Sequence, residues 1–426
     1  MSSQDFVKLA LQLATMLGFA IVFGAMMRRL KQPAVVGEMF GGIVLGPTIL
    51  GSLIPSLYYW LFLSSANVTT VRDAFTKLGM ILFLFYAGLK VNLSDLKTVR
   101  KKAILIGLVG TLLPIALGVA LVYAVPRAFW GSAVQEHLLS FALFVGMNFA
   151  NSANPVIARI LLDLGLLNRP IGALIMTATI VDDLVNWTLF AVILNDFAPA
   201  GYTTGGDLMT SVLLVGVFLI VVLGVGRWVG PAAMKQIQRH VARPNRVIGV
   251  TAVLVLCASS AAEALGVHAF LGAFLLGVAL SDTEKGLNET HGVIGHFVLS
   301  FVPIYFISMG MATNFITNFD PLLLLVFLGA ASVSKIGSVL LGAKAARMPL
   351  DREVWAIGFG LNARGATGII LAGIGLANGV IDARIFVALI MTALITSFMA
   401  GPMMNRLLSH HQTIRLAHAR PSMEGS

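Results

Sequence analysis

The sequence is short of charged residues and has only one cysteine. Asp, Glu, Lys and Arg together make up 11% of its 426 residues, whereas a soluble domain carries about 25%. A chain with so few charges cannot cover a water-facing surface. The single cysteine, Cys257, lies inside an apolar run. It excludes a disulfide and a cysteine metal site within the chain, and we expect it to be a small buried hydrophobic residue.

Several functional signatures are also missing from the sequence. We find no phosphate-binding loop of the Walker type, no potassium-selectivity sequence and no dinucleotide-binding glycine motif. Nothing resembles the nucleophile elbow of a hydrolase. We therefore expect neither an enzyme nor an ATP-driven pump, and we expect no bound cofactor.

Long apolar runs dominate what is present, since 58% of the residues are hydrophobic. A helix needs about 20 residues to cross a bilayer core of about 30 Å. The runs predict an all-α polytopic membrane protein with about 13 transmembrane helices. Their approximate bounds, numbered here as spans 1 to 13, are 6–27, 34–54, 75–92, 102–125, 138–163, 170–194, 208–231, 246–263, 266–281, 293–312, 321–343, 354–378 and 384–404. Span 1 is too long for a signal-peptide core and follows no basic segment, so we expect it to be retained.

The basic residues lie mostly on one side of the predicted spans. The net charge is +10, and 21 of the 29 lysines and arginines follow an odd-numbered span, against five on the opposite side. Cytoplasmic loops carry such an excess. We therefore predict a multi-pass protein of the inner membrane, with its N-terminus outside and its C-terminus in the cytoplasm. Membrane lipid, and not nucleic acid, then accounts for the basic character.

Two spans are interrupted near their middles by polar residues. Span 5 contains Asn151, Ser152, Ala153 and Asn154 before a proline, and span 12 contains the stretch 362–368 with Asn362, Arg364, Thr367 and two glycines. Proline and glycine both weaken a helix. Because the interruptions lie seven spans apart, the second copy must cross the membrane in the opposite sense. Spans 1–6 and 8–13 are then inverted six-helix repeats joined by span 7, although glycine and proline are also common in ordinary membrane helices. Secondary transporters place the substrate site at such paired interruptions.

Adjacent carboxylates occur in the middle of span 6, at Asp182 and Asp183. Each costs roughly 2.5–3.5 kcal/mol at the centre of a membrane helix, so intramembrane acids indicate function. Neighbouring helix residues differ by about 100° in direction, which predicts different partners for the two. Lys335, near the middle of span 11, needs a counter-ion, and the aspartate pair is the nearest candidate by depth.

Other polar residues in the spans allow two interpretations. Arg364 either satisfies backbone carbonyls freed by the interruption or acts as a gate. Arg159 either extends to the membrane interface or forms a structural pair. Glu38, Glu263 and His268 are structural residues in the simpler interpretation and contribute to a pH response in the other.

These residues together resemble the second monovalent cation:proton antiporter family, which contains the bacterial sodium/proton and potassium/proton exchangers of the sodium/hydrogen exchanger superfamily. The resemblance covers residues 6–404. The matching motifs are Gly37–Pro47, Phe85–Leu89, Asn154–Arg159, Asp182–Asp183, His268 with Gly272–Phe274, Lys335 and Arg364–Gly365.

The resemblance implies a homodimer with a dimerisation panel and a mobile core, and the sodium/proton antiporter fold with two crossed discontinuous helices. Asp183 is then the residue that binds the cation and the proton, and Asp182 pairs with Lys335. Relatives with these three residues tend to be electrogenic. The implied segments are 1–100 and 246–320 for the panel, 101–195 and 321–404 for the core, 196–245 for the linker and 405–426 for a cytoplasmic tail.

The sequence departs from the family pattern in two places. Many relatives have an acidic residue directly after the Arg-Gly of span 12, where this chain has Ala366. The nucleotide-binding domain of the potassium-efflux branch is also missing, which favours Na⁺ over K⁺ as the substrate, and Li⁺ stays an alternative.

The resulting hypothesis is exchange of a monovalent cation for protons by alternating access. Asp183 binds either a proton or a cation, and the cation draws further oxygen ligands from Ser152, Asn154, Asn151 and the unwound backbone beside them. Three alternatives stay open. They are a K⁺/H⁺ antiporter or K⁺ efflux system, a sodium-coupled organic anion symporter of the same fold, and a cation channel or receptor.

Overall fold

The computed structural model describes residues 2–30, 34–89, 101–131, 137–166, 169–196, 213, 216–217, 224, 244–264, 269–281 and 301–418. Within these ranges the chain is helical and contains no strand. The helices are α1 (Ser3–Arg29), α2 (Ala34–Leu45), α3 (Leu50–Leu53), α4 (Pro55–Tyr58), α5 (Ala66–Leu89), α6 (Lys101–Ala124), α7 (Arg127–Trp130), α8 (Leu138–Ala150), α9 (Asn154–Asp163), α10 (Pro170–Asp196), α11 (Pro244–Ala264), α12 (Ala269–Ser281), α13 (Phe301–Met311), α14 (Pro321–Ala345), α15 (Arg352–Leu361), α16 (Gly365–Ala377) and α17 (Ala383–His418). A π-helical turn, Tyr59–Leu63, follows α4.

Many of these helices are suited to a membrane. Among the described residues, six helical segments are long and apolar enough to span one: Ser3–Arg29, Ala34–Leu53, Lys101–Ala124, Pro170–Leu194, Pro321–Ala345 and Ala383–Leu408. The predicted all-α membrane class is confirmed. The count of thirteen stays a prediction, because most of span 7, the start of span 10 and the joint at Gly266 lie outside the described residues.

Two helices are longer than their predicted spans. Helix α5 begins at Ala66, nine residues before the predicted start. Helix α17 continues to His418, so residues 405–418 of the predicted cytoplasmic tail are helical, and their cytoplasmic position stays a prediction. The reason is the same in both cases. Hydropathy marks the apolar part of a helix, whereas backbone hydrogen bonds continue through the polar residues beyond it.

Cys257 corrects a further expectation, because its side chain is exposed on α11. An apolar run shows that a residue lies in a membrane segment. It does not show whether that residue faces protein or lipid. The prediction of a buried cysteine was therefore wrong.

The chain divides into two compact units, and the first consists of Met1–Lys97 and Ala191–Phe319. Helices α2 and α13 approach so closely that a Cβ atom on Gly42 would clash with the carbonyl of Ile307. A Cβ atom on Gly310 would clash in the same way with the carbonyl of Met39. Small residues at helix contacts allow this backbone approach, as is typical of membrane proteins.

The second unit consists of Thr98–Phe190 and Asp320–Ser426 and contains both interruptions. Helix α8 ends at Ala150 and α9 begins at Asn154, while α15 ends at Leu361 and α16 begins at Gly365. The backbone N–H of Ala153 donates to the carbonyl of Ala363 at 2.7 Å. The interruptions predicted from the sequence are therefore present, and they meet inside one unit.

Candidate functional site

The two interruptions satisfy each other's polar groups. Besides the bond from Ala153 to Ala363, the hydroxyl of Ser152 donates to the carbonyl of Leu361 at 2.6 Å. A backbone group left unpaired in an apolar interior costs several kcal/mol, so unwound segments persist there only when protein groups pair with them. The crossing is therefore held by specific hydrogen bonds between the two interrupted segments.

Arg364 supplies most of the remaining donors at the crossing, and its side chain is 3% exposed. Nε donates to the carbonyl of Asn148 at 3.1 Å. Nη2 donates to the carbonyls of Phe149 and Ala331 at 2.9 and 2.8 Å. Nη1 donates to the carbonyl and to Oδ1 of Asn362 at 3.1 and 2.7 Å. All five guanidinium N–H groups are thus used within the unit, which favours the structural interpretation of Arg364 over gating.

Asp182 and Lys335 form a buried ion pair, with Nζ 2.9 Å from Oδ2. The hydroxyl of Thr111 lies 2.6 Å from Oδ1 of the same carboxylate and donates to it. Lys335 also donates to the carbonyl of Gly110 at 3.0 Å and to that of Ala150. The three donors of the ammonium group therefore connect α6, α8 and α10 to α14. Lys335 is 2% exposed, so its ammonium group lies inside the protein and does not extend to the membrane interface.

Asp183 faces other partners, as the helical rotation between neighbouring residues predicts. The side-chain amide of Asn154 donates to Oδ2 of Asp183 and accepts from the hydroxyl of Thr179. Asp183 is 7% exposed. Its second oxygen, Oδ1, has no hydrogen-bond partner among the described residues. A buried carboxylate with one unpartnered oxygen can bind a proton or a cation there.

The other predicted site residues lie in varied places. Thr367 is buried in the first turn of α16, and the amide of Asn151 donates to the carbonyl of Arg364 at 3.4 Å. Glu38 is buried in the first unit, and Oε2 has no partner in the described part of the chain. Glu263 is exposed and its carboxylate accepts the first N–H of α12, at 2.7 Å. His268 and the side chain of Arg159 lie outside what the structure describes.

Sequence reasoning missed three polar residues near the aspartates. The hydroxyl of Thr111 donates to Asp182, and that of Thr179 donates to the side chain of Asn154. Asn186 is 1% exposed and lies on the same helix as Asp183. Thr179 and Asn186 lie four residues before and three residues after Asp183, a spacing that places side chains on one helix face. That spacing was readable in the sequence. Thr111 carried no comparable signal, because it lies far away in the chain.

Comparisons with known proteins give a consistent result. The family model described as "Sodium/hydrogen exchanger, transmembrane" matches residues 17–410. The chain is 32% identical to Cation/H(+) antiporter 17 of Arabidopsis thaliana, covering 93% of this chain and 48% of the relative. It is 28% identical to the Na(+)/H(+) antiporter NhaS4 of a Synechocystis strain, covering 96% of this chain and 98% of that relative. The chain thus spans about half the length of the plant relative and nearly the whole of the cyanobacterial one.

Among solved structures, the chain resembles the sodium proton antiporter MjNhaP1 from Methanocaldococcus jannaschii. The TM-score is 0.70, and the match covers 95% of this chain and 99% of the other. The sequence identity is 16%, so this likeness concerns the fold alone.

Proposed function

The chain belongs to the sodium/hydrogen exchanger family of transmembrane proteins, and we propose that it is a secondary active antiporter that exchanges a monovalent cation for protons. One observation carries the proposal. Asp183 is buried beside the crossed interruptions, and its Oδ1 has no partner among the described residues. The family consists of multi-pass membrane transporters, which agrees with the absence of enzyme motifs from the sequence.

Competition for the carboxylate of Asp183 couples the two ions. An ionised carboxylate out of water is strongly disfavoured unless an opposite charge compensates it. Either a proton or a cation provides that charge, and the two cannot occupy the same oxygen together. The site binds one ion on one side of the membrane and releases it on the other, and the other ion occupies the site on the return step. One full cycle therefore exchanges the cation for protons. Alternating access of the second unit's site completes the cycle.

Asp182 takes no part in this competition, because it is paired with Lys335. Lys335 compensates Asp182 at 2.9 Å, so the net negative charge that remains belongs to Asp183. A single negative charge fits a monovalent cation better than a divalent one. Lys335 is a second group, besides Asp183, that can take up and release a proton. This supports electrogenic exchange, in which more protons than cations move in each cycle.

Sodium is the cation that we propose first, with potassium and lithium as the alternatives. The relative that the chain covers almost completely is named a Na(+)/H(+) antiporter. An organic anion symporter is the less favoured function, because a carboxylate substrate would meet the unpaired charge of Asp183. In this proposal the protein is a homodimer of the inner membrane with its N-terminus outside. The first unit contains the dimerisation panel, and the second unit is the mobile core.

The test is exchange by the purified full chain in liposomes that contain a pH-sensitive dye. An outward proton gradient is imposed, and sodium or lithium is added outside while a potassium ionophore with equal potassium on both sides clamps the membrane potential. Potassium is added in a separate assay without the ionophore. We expect sodium to alkalinise the lumen in a saturable manner. Asp183→Asn should abolish this signal, because the amide can neither bind a proton nor balance a cation. Asp73→Asn, at an exposed surface carboxylate, is the matched control and should exchange normally. Normal exchange by Asp183→Asn would refute the proposal.

A further inference from the structure

Asn186 is the one residue near the aspartates whose whole polar group is unused in the described part of the chain. Its side chain is 1% exposed, and neither Oδ1 nor Nδ2 has a hydrogen-bond partner there. The side-chain amide of Asn154, in contrast, bonds both Asp183 and Thr179. A buried polar group without a hydrogen-bond partner destabilises the folded state, so native proteins rarely keep one without a structural or functional cause.

The position of Asn186 supplies that reason. It lies in α10, three residues after Asp183 and four after Asp182, and side chains at these spacings lie about 5–6 Å apart on one helix face. The unpartnered oxygen of Asp183 and the unpartnered amide therefore lie one helical turn apart.

We propose that Asn186 is a ligand of the transported monovalent cation. Its side-chain oxygen and Oδ1 of Asp183, one helical turn apart on α10, both bind the ion. The proposal rests on the exchange function proposed above. A side-chain amide suits both states of the carboxylate, because it donates to the ionised form and accepts from the protonated form. Its carbonyl oxygen is also a neutral ligand, so the site keeps a single negative charge and stays selective for monovalent ions.

The experiment measures cation binding apart from transport. Thermal unfolding of the detergent-purified full chain is followed as sodium chloride or lithium chloride is titrated against choline chloride at constant ionic strength. A ligand that binds only the folded state raises the unfolding temperature with its concentration. The variants are Asn186→Leu, which has a similar volume without polar atoms, and Asn186→Ala. The matched control is Thr188→Val, because among the described residues the half-buried hydroxyl of Thr188 bonds the carbonyl of Leu184 in its own helix, at 2.7 Å.

We expect the unfolding temperature without sodium and the half-saturating sodium concentration to respond differently to the Asn186 substitutions. Without sodium, Asn186→Leu should unfold at the same temperature as the wild type or higher, because an unpartnered amide has been removed. With sodium, the half-saturating concentration should rise about tenfold or more in both Asn186 variants, the effect of losing one bond to a charged group. The same shift should appear in the KM of liposome exchange, while Thr188→Val matches the wild type in both assays.

Two outcomes would overturn the inference. Unchanged half-saturation in both Asn186 variants would show that the amide holds only water or nothing. A lower unfolding temperature of Asn186→Leu in choline, with unchanged sodium dependence, would show a structural role. Both outcomes are separate from failure of the exchange proposal, which would appear as absent sodium-dependent exchange in the wild type and in Thr188→Val as well.

Discussion

Nζ of Lys335 lies 2.9 Å from Oδ2 of Asp182, and both side chains are 2% exposed. This pairing leaves the adjacent buried carboxylate, Asp183, without an ion-pair partner among the described residues. Two neighbouring aspartates in one helix thus have separate roles, because the helix turns them toward different surroundings.

Loss of the lysine should destabilise the protein strongly. Lys335→Ala leaves Asp182 buried without its cation, and breaking one side of a buried pair costs about 3–5 kcal/mol. The double variant Asp182→Asn with Lys335→Met should recover much of that loss, because no unpaired charge remains. Thermal unfolding of the purified variants is the measurement. Lys344→Ala, at an exposed position of the same helix, is the control. Equal unfolding temperatures for the wild type and Lys335→Ala would show that the ion pair contributes nothing to stability.

Arg364 should not tolerate replacement by lysine. The guanidinium donates five hydrogen bonds at the crossing, whereas an ammonium group has three donors on a single point. We expect Arg364→Lys to lose about 2–4 kcal/mol of unfolding free energy, from at least two buried carbonyls left unpaired. Arg352→Lys, which changes an exposed arginine on α15, should be neutral. A stable Arg364→Lys protein with normal exchange would contradict the structural role assigned here.

A side chain at Gly365 should damage the second interruption. This glycine has φ of +37°, in the region that other residues adopt only with strain. A Cβ atom there would also clash with the side chain of Val156 on the other interrupted segment. We expect Gly365→Ala to lower stability by about 1–3 kcal/mol and to reduce the rate of exchange. In the control Gly337→Ala, the new Cβ atom meets nothing within 4 Å. Hydrogen exchange of the two segments, followed by mass spectrometry, measures the local effect. Unchanged protection in Gly365→Ala would contradict the prediction.

Apparent sodium affinity should depend on pH with a defined sign. Because a proton and a cation compete for Asp183, the half-saturating sodium concentration should rise as the pH falls. The rise should approach about tenfold for each pH unit once most sites carry a proton, and it should level off at alkaline pH. Currents from proteoliposomes on a supported membrane, titrated with sodium at each pH, provide the measurement. A half-saturating concentration that stays constant over about three pH units would exclude direct competition.

Much of the architecture was predictable because each feature depends on a local property of the chain. Long apolar runs predicted the membrane helices. Proline and glycine within polar stretches predicted the two interruptions, which the structure places between Ala150 and Asn154 and between Leu361 and Gly365. The limits of α5 and α17 were missed, because polarity marks where an apolar segment ends, while the backbone hydrogen bonds continue.

The sequence by itself determined that charged groups are placed in an apolar interior, and therefore that Asp182, Asp183 and Lys335 require partners. Only the tertiary structure decided which partners they have. Contacts between residues distant in the chain, such as Lys335 with Ala150 and Thr111 with Asp182, follow from how helices pack. Helix packing depends on the shapes of whole faces, which no local pattern contains. For the same reason, the structure alone revealed that Asn186 is buried and that its amide has no partner among the described residues.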